Sequence, residues 1–281
     1  LVNARRQGAR RKAQRGIGAT RQRGEAGDHR DCGAPAPVAF IPVRQDVEIF
    51  GTLDKATSGL QISILLVGRD DGDDIMTRTG QFQGRKLLVV GGTSGIGLEV
   101  AQMVAEEGGA VVVVGNRAEK AEAARQQLAA VAGETNVAAF ASDLSDFDQV
   151  RALIANLAED HADIDLLVNS AGIYYPKPFL DHGMEDYDNF LDLNRALFFI
   201  TQHVAASLVT RKQPGSIVSV TAVAARQAVD SVPASAYSMA KMGLEAMTKH
   251  VAAELPGHGV RVNAVSPGIV ETRIFERFIP E

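Results

Sequence analysis

Residues 86–97 read KLLVVGGTSGIG, and this stretch decides the fold. Residues 87–90 are an apolar run of strand length that ends at two glycines. Glycine returns at Gly95 and Gly97, as a helical pattern begins. Glycines allow a backbone to approach a pyrophosphate, and the free N–H groups of a first helical turn attract its charge. The stretch therefore indicates a phosphate-binding turn, although its spacing, G-x-x-x-G-x-G, differs from the common fingerprint and leaves a plain tight turn open.

From residue 81 onward, apolar strands alternate with helices. We predict strands at 87–90, 110–114, 137–141, 165–168, 216–220 and 260–265, and helices that include 98–107, 118–131 and 146–161. Apolar strands that alternate with helices are typical of a parallel sheet covered on both faces. Right-handed crossovers then produce an α/β, doubly wound parallel sheet, the Rossmann fold, whose ligand lies at the carboxyl ends of the strands.

The composition excludes several classes of protein. Of the 281 residues, 46% are hydrophobic and 22% are charged, as in a soluble globular protein, and no apolar run is long enough to span a bilayer. A single cysteine, Cys32, excludes an intrachain disulfide framework and a cysteine-based zinc site, and it agrees with a reducing compartment. The net charge of −5 argues against nucleic acid as the main partner. We expect a cytoplasmic protein without a bound metal.

The first 75 residues differ in character from the rest. Residues 1–37 are rich in Arg, Gly and Gln, and they contain too little apolar surface to offset the entropy of ordering. Their basic, acid-poor start is also typical of a transit peptide or a nucleic-acid arm. The chain begins with Leu, and its first methionine is Met76. We therefore expect residues 1–75 to be a largely disordered extension outside the native protein, and residues 76–281 to form the domain.

Short motifs follow the predicted strands in a fixed order. Residues 169–172 read NSAG after the fourth strand, residues 237–241 read YSMAK, and residues 267–268 read PG after the sixth. Together with the glycine turn, in which Val90 replaces a usual threonine, this order resembles the short-chain dehydrogenase/reductase superfamily over 82–281. The resemblance implies an NAD(P)-dependent oxidoreductase that transfers hydride between nicotinamide and a secondary alcohol or ketone. It also implies a homodimer or homotetramer.

The resemblance implies a set of cofactor-binding residues. They belong to the glycine turn, the ends of the second and third strands, the NSAG and YSMAK motifs, and the segment after the sixth strand. The set is Gly91, Thr93, Ser94, Gly95, Ile96, Gly97, Asn116, Arg117, Asp143, Leu144, Asn169, Ala171, Gly172, Tyr237, Lys241, Pro267, Gly268, Ile269 and Thr272. Within it, Asp143-Leu144 would hold the adenine, and Thr272 would contact the nicotinamide carboxamide.

The end of the second strand bears on the choice of cofactor. NAD-preferring proteins usually place an acid there to bind the ribose 2′-hydroxyl. This chain has Asn116 and Arg117 instead, with no carboxylate. Because an arginine can bind a 2′-phosphate, the sequence favours NADP(H) over NAD(H). The alternative is an ordinary solvated arginine at the start of a helix.

Tyr237 and Lys241 lie at positions i and i+4, on one face of a predicted helix. A phenol titrates near ~10, and a nearby ammonium should lower that pKa and make the phenol a better acid and base. Tyr237 would then give a proton to a carbonyl oxygen, or take one from an alcohol, as hydride moves. By resemblance, Lys241 also holds the nicotinamide ribose, and Asn194 positions a water that connects the lysine to solvent. A surface Tyr–Lys pair and a helix-packing asparagine are the alternatives.

One catalytic position departs from the family pattern. A serine usually follows the fifth strand, but the segment GSIVSVTA at 215–222 places Ala222 there. Thr221 is the candidate substitute, yet neighbouring side chains of a strand point to opposite faces, so the backbone would have to bulge. Loss of one such donor typically costs on the order of 10²–10³ in turnover. A slow enzyme, a substrate with its own hydroxyl and a catalytically silent nucleotide-binding scaffold all stay open, and the enzyme is favoured.

The sequence ends at Glu281, before the helical lid and seventh strand that the family usually carries. We therefore expect a domain without those two elements.

Overall fold

The structure is a computed structural model that describes residues 80–228, 232–268 and 270. The predictions for residues 1–75, for Ile269 and Thr272, and for the end of the chain lie outside these residues.

Six strands and five α-helices alternate along the described residues. The strands are β1 (Lys86–Val90), β2 (Ala110–Gly115), β3 (Val137–Ala141), β4 (Leu166–Asn169), β5 (Gly215–Val220) and β6 (Val260–Val265). The helices are α1 (Gly95–Glu106), α2 (Ala118–Ala132), α3 (Phe147–Asp160), α4 (Met184–Arg211) and α5 (Ser235–Glu254). Each predicted strand is present within one residue at either end. The prediction for α1 was wrong at its start, because the helix begins on the glycines themselves.

The strands form one parallel sheet in the order β3-β2-β1-β4-β5-β6. The order reverses between β1 and β4, where Val90 pairs with Val114 on one side and with Asn169 on the other. This confirms the predicted doubly wound fold. Crossovers leave the carboxyl ends of β1 and β4 in opposite directions, which opens a crevice at this point.

Two apolar clusters cover the two faces of the sheet. Leu88 and Val90 of β1 pack toward α3, α4 and α5, whereas Leu87 and Val89 pack toward α1 and α2. All four side chains are at most 2% exposed. Alternate residues of a strand point to opposite faces, so an unbroken apolar run is what a strand buried on both sides requires. Each such side chain contributes roughly 1.5–3 kcal/mol through burial, and together they anchor the turn that follows β1.

The helices of the described segments include none that combines the length and apolarity needed to cross a membrane.

Candidate active site

The turn after β1 brings two segments into close contact. Gly91 has φ +84°, and a Cβ atom there would lie 2.4 Å from the backbone nitrogen of Ala171. The Gly91 and Gly92 N–H groups both donate to the carbonyl of Val114, at 2.8 and 3.0 Å. The turn therefore packs against the segment that follows β4 and is tied to β2. A larger residue than glycine at position 91 would separate these segments.

The glycine turn leads directly into the first turn of α1. A Cβ atom at Gly97 would lie 2.2 Å from the carbonyl oxygen of Gly91, so the helix packs tightly onto the turn. Ser94 is the N-cap residue, but its side chain makes no capping hydrogen bond, and the first turn carries no acidic residue. The N–H groups of Gly95, Ile96 and Gly97 therefore lack intrahelical partners. Such a helix start can bind the phosphates of a nucleotide.

Thr93 closes the side of the turn that faces β2. A Cβ atom at Gly115 would lie 2.5 Å from the hydroxyl oxygen of Thr93, so the threonine packs directly on the glycine that ends β2. Asn116 and Arg117 follow at the surface, and the Arg117 side chain is 50% exposed. Its Nε lies 3.6 Å from a carboxylate oxygen of Glu119, a weak surface pair. The guanidinium can therefore exchange this partner for a ligand phosphate.

At the end of β3, Asp143 organises a local turn. One carboxylate oxygen accepts hydrogen bonds from the backbone N–H and the hydroxyl of Ser145, at 2.9 and 2.7 Å. The Asp143 N–H donates to the side chain of Gln149 at 3.0 Å. Leu144 packs against the core. The predicted adenine-binding pair thus has a fixed backbone at the carboxyl edge of the sheet.

Asn169 is fully buried at the end of β4. Its Nδ2 donates to the hydroxyl of Thr201 on α4 at 2.8 Å and lies 3.5 Å from the hydroxyl of Ser219 on β5. This side chain therefore holds two strands and a helix together beneath the site. The predicted contact of Asn169 with a nucleotide stays a prediction. The segment beyond it lies at the crevice, where a Cβ atom at Gly172 would be 3.5 Å from Nζ of Lys241.

Lys241 is buried beneath Tyr237 on α5. Its side chain donates to the carbonyl of Val220 at 2.8 Å, and Nζ lies 5.9 Å from the centre of the Tyr237 ring. Because the residue is only 7% exposed, desolvation of the ammonium lowers the pKa of Lys241 to about 8. The structure thus places close together the two residues that the sequence analysis identified as a candidate catalytic pair.

The pKa of Tyr237 differs from the expectation. Burial, and then the neighbouring phenol of Tyr174, raise the pKa of Tyr237 to about 12. The expected lowering by Lys241 does not occur here, because the ammonium is directed to Val220 and its own charged form is disfavoured by burial. The Tyr237 ring makes edge-to-face contacts with Tyr174 at 5.1 Å and with Phe190 at 6.0 Å. Burial is therefore the main cause of the raised pKa of Tyr237.

Asn194 joins α4 to α5 next to Lys241. Its Nδ2 donates to the carbonyl of Ala240 at 2.7 Å, and a Cβ atom at Gly243 would lie 2.9 Å from the same nitrogen. The asparagine therefore packs against α5 one residue before the lysine. Its predicted role in positioning a water stays a prediction.

The role of Thr221 as the substitute for the missing serine stays a prediction, and the structure shows its hydroxyl engaged elsewhere. The backbone does not bulge, since β5 stays in register with β6 to its last residue and the Thr221 N–H donates to the carbonyl of Val265 at 2.8 Å. The buried Thr221 hydroxyl lies 2.6 Å from that of Ser266 and 3.4 Å from a carboxylate oxygen of Glu245. It is therefore used in contacts to β6 and α5. Ala222, which is also buried, occupies the serine position.

Sequence reasoning missed the buried carboxylate of Glu245, which is 2% exposed. Both of its oxygens accept from Nε of Arg226, at 2.9 and 3.2 Å, and one accepts from the hydroxyl of Ser266 at 3.1 Å. Glu245 lies four residues after Lys241, on the same helix face, and this spacing is the signal that could have found it. The cluster fixes the loop after β5 to the segment after β6. There the Val223 N–H also donates to the carbonyl of Pro267 at 3.0 Å, one residue before the exposed Gly268.

Comparison with known proteins agrees with this arrangement. The family model described as short chain dehydrogenase matches residues 85–280. Zerumbone synthase of Zingiber zerumbet is 34% identical over 203 residues, which cover 72% of this chain and 74% of that protein. A solved short chain dehydrogenase/reductase family protein is 38% identical with a TM-score of 0.63, covering 70% of this chain and 80% of that one.

A short-chain dehydrogenase from Sphingobium yanoikuyae, solved in complex with NADPH, is 27% identical with a TM-score of 0.63, covering 70% of this chain and 78% of that one. The family model covers well over half of the chain, and the chain belongs to the short-chain dehydrogenase/reductase family of oxidoreductases.

Proposed function

We infer that this protein reduces a ketone to a secondary alcohol with NADPH, and catalyses the reverse oxidation with NADP⁺. The observation that carries this proposal is the Tyr237–Lys241 pair on α5, which lies at the same edge of the sheet as the glycine turn. Gly172, which approaches Lys241, belongs to the same segment as Ala171, which contacts the turn. The nucleotide and the proton donor therefore share one crevice.

Each part of the site has its own role in the proposed reaction. The nicotinamide, when bound, supplies or accepts the hydride. Tyr237 gives its phenolic proton to the carbonyl oxygen of the substrate in reduction and takes it back in oxidation. Lys241 holds its ammonium next to Val220 and under the tyrosine ring, where it can contact the ribose of the nucleotide. The N–H groups at the start of α1 bind the pyrophosphate.

The preference for NADP(H) rests on the surface beyond β2. Arg117 is half-exposed and only weakly paired, and no acid stands at the end of the strand to favour a 2′-hydroxyl. The relative from Sphingobium yanoikuyae binds NADPH. A charge-assisted hydrogen bond to the 2′-phosphate contributes about 1.5–3 kcal/mol, so Arg117→Ala should weaken NADPH binding roughly 10- to 100-fold and leave NADH binding unchanged.

The binding test follows nicotinamide fluorescence during titration with NADPH and with NADH. Arg151→Ala is the matched control, because Arg151 is likewise an exposed arginine paired with a nearby acid, but on α3. Equal affinity of the wild-type protein for NADPH and NADH would contradict the cofactor preference. Failure to bind either nucleotide would contradict the proposed function as a whole.

The catalytic test measures NADPH oxidation with 2,3-butanedione, a small and strongly electrophilic ketone. Tyr237→Phe keeps the ring contacts but removes the proton, and it should abolish turnover while nucleotide binding persists. Binding without turnover in the wild-type protein would instead support the alternative, a catalytically silent nucleotide-binding scaffold. The observation that favours this alternative is Ala222, which provides no hydroxyl at the end of β5.

We also propose that the protein forms a homodimer or homotetramer. Helices α4 and α5 each present large apolar side chains to solvent, namely Phe198 and Phe199 on α4 and Met239 and Met242 on α5. Exposed apolar surface of this kind marks interaction sites. Light scattering should report a mass of at least two chains, and Phe198→Glu should reduce it.

A further inference from the structure

Three segments meet at the carboxylate of Glu245 on α5. One carboxylate oxygen accepts a hydrogen bond from the hydroxyl of Ser266, just after β6, at 3.1 Å, and another from the hydroxyl of Thr221, at the end of β5, at 3.4 Å. Both oxygens accept from Nε of Arg226, in the turn after β5. The Glu245 side chain is 2% exposed, whereas that of Arg226 is 60% exposed. A single buried carboxylate therefore ties the segments that follow β5 and β6 to α5.

Stability alone does not explain a buried carboxylate at this position. Taking an ion pair out of water is costly, and replacing a whole buried pair by apolar residues of similar volume is often neutral or stabilising. A buried polar network whose members are all hydrogen-bonded instead makes the parts that it joins rigid. The network around Glu245 should therefore be valued for the relative position of the segments that it connects.

One of these segments also holds Lys241, which lies one helical turn before Glu245. The lysine donates to the carbonyl of Val220 at 2.8 Å, and the next residue, Thr221, donates its hydroxyl to Glu245. Helix α5 thus binds two successive residues at the end of β5, one through an ammonium and one through a carboxylate. Loss of the carboxylate frees the strand end to which the ammonium beneath Tyr237 is attached.

The other segments border the same half of the crevice. The Val223 N–H donates to the carbonyl of Pro267 at 3.0 Å, next to Ser266, so the turn after β5 and the segment after β6 are in contact. With the pyrophosphate at the start of α1, one half of a dinucleotide extends over β2 and the other half over β4 and β5. The nicotinamide belongs to the second half, because its hydride and the proton of Tyr237 reach the same carbonyl group of the substrate.

We propose that Glu245 is a positioning residue of this site, which sets the nicotinamide half of the crevice relative to Tyr237 and Lys241. This inference rests on the proposed function of the same site. The carboxylate lies behind the segments after β5 and β6 and acts through them, by way of Thr221 and Ser266. Its loss should misplace the nicotinamide and the ammonium, and it should leave the phosphate-binding turn after β1 intact.

The binding experiment compares NADPH with 2′,5′-ADP, a fragment that carries the 2′-phosphate but no nicotinamide. In calorimetric titrations, Glu245→Leu should weaken NADPH binding about 10-fold, as expected for one or two lost hydrogen bonds, and should change 2′,5′-ADP affinity less than about twofold. Thr248→Val is the matched control and should bind both ligands as the wild-type protein does. Thr248 is also buried on α5, but its hydroxyl donates to the carbonyl of Leu244 within the helix.

The kinetic experiment follows the reduction of 2,3-butanedione at saturating NADPH. Glu245→Leu should lower kcat roughly 10- to 100-fold, because a displacement of about 1 Å between reacting groups can cost that much. Glu245→Gln keeps an oxygen that can accept from Ser266, so its kcat should stay within about fivefold of the wild-type value. Thr248→Val should retain the wild-type kcat.

A double-mutant cycle tests whether Ser266 acts through the carboxylate. Ser266→Ala alone should lower kcat and NADPH affinity about fivefold, the worth of one hydrogen bond, with 2′,5′-ADP affinity unchanged. Added to Glu245→Leu, it should cause no further loss, since the partner of the hydroxyl is already gone. Because it removes one oxygen only, Ser266→Ala also decides the question if Glu245→Leu does not fold.

The proposal is overturned if Glu245→Leu keeps kcat within about threefold of the wild-type value. It is also overturned if either variant leaves the ratio of NADPH to 2′,5′-ADP affinity unchanged, because a general loosening of the domain affects both ligands alike. Failure of the proposed function gives a different result. A wild-type protein that does not oxidise NADPH refutes the function, whereas turnover that is lost with Tyr237→Phe and kept with Glu245→Leu refutes only the positioning role.

Discussion

The buried ammonium of Lys241 should make the stability of this protein depend on pH in a specific direction. The side chain is 7% exposed, and burial lowers its pKa from the ordinary value of 10.5 to about 8. Below pH 8 the lysine is protonated in both the folded and the unfolded chain, so the folded state bears the full cost of the buried charge. Between these two pKa values, the unfolded chain binds more protons, and stability rises with pH.

The size of the effect follows from the two pKa values. The difference of about 2.5 pH units corresponds to ~3 kcal/mol, at ~1.4 kcal/mol per unit. Lys241→Met removes this dependence, although it also removes the hydrogen bond to Val220. That bond changes the absolute stability of the variant but not the shape of its pH curve. Between pH 7 and pH 10, the free energy of unfolding of the wild-type protein should therefore rise by about 2–3 kcal/mol more than that of the variant.

The assay is urea unfolding at intervals from pH 7 to pH 10, followed by circular dichroism, for the wild-type protein and Lys241→Met. Lys249→Met is the control, because Lys249 is an exposed lysine on the same helix. The wild-type and Lys249→Met curves should run parallel, whereas the Lys241→Met curve should diverge from both. Parallel curves for all three proteins would refute the burial of a charged lysine at this position.

Substitutions at three other positions test the glycine turn and the contacts around α5. Gly97→Ala should abolish NADPH binding and lower Tm, because its Cβ would lie 2.2 Å from the carbonyl oxygen of Gly91; fluorescence titration and calorimetry would measure both. Glu245→Leu should cost about 2–3 kcal/mol in urea unfolding, since buried hydroxyl groups lose their acceptor, and Glu245→Gln should cost less. Asn194→Leu should cost about 1 kcal/mol through the lost bond to Ala240, and unchanged stability would contradict that packing role.

The strands could be predicted because β1 to β4 are mostly apolar runs that end at glycine or a polar residue, and because apolar residues recur along β5 and β6. Val260–Val265 and Val137–Ala141 were found to the residue. The start of α1 could not be predicted, because glycine is a poor helix former and the tight packing of Gly97 on Gly91 is not visible in local propensity. At this helix start, a tertiary contact outweighs the low helix propensity of glycine.

The residues of the site could be predicted only where they follow local spacing. Tyr237 and Lys241 lie one helical turn apart, and the structure places them together as the sequence indicated. The contacts of Thr221 join β5, β6 and α5, which no local pattern reveals. Burial is equally invisible to spacing, so the effect of the lysine charge on the Tyr237 pKa was overestimated and desolvation was missed.

The raised pKa of Tyr237 makes reduction and oxidation respond differently to pH. With a pKa of about 12, Tyr237 is protonated throughout the neutral range, so it is ready to donate in reduction. To act as a base in oxidation it must first lose that proton, and the fraction that has done so rises about tenfold per pH unit. We therefore expect kcat for 2,3-butanedione reduction to stay flat from pH 6 to pH 9 while kcat for acetoin oxidation climbs over the same range. A flat oxidation profile from pH 7 upward would mean that the phenol titrates near neutrality, and that the charge of Lys241 governs the site after all.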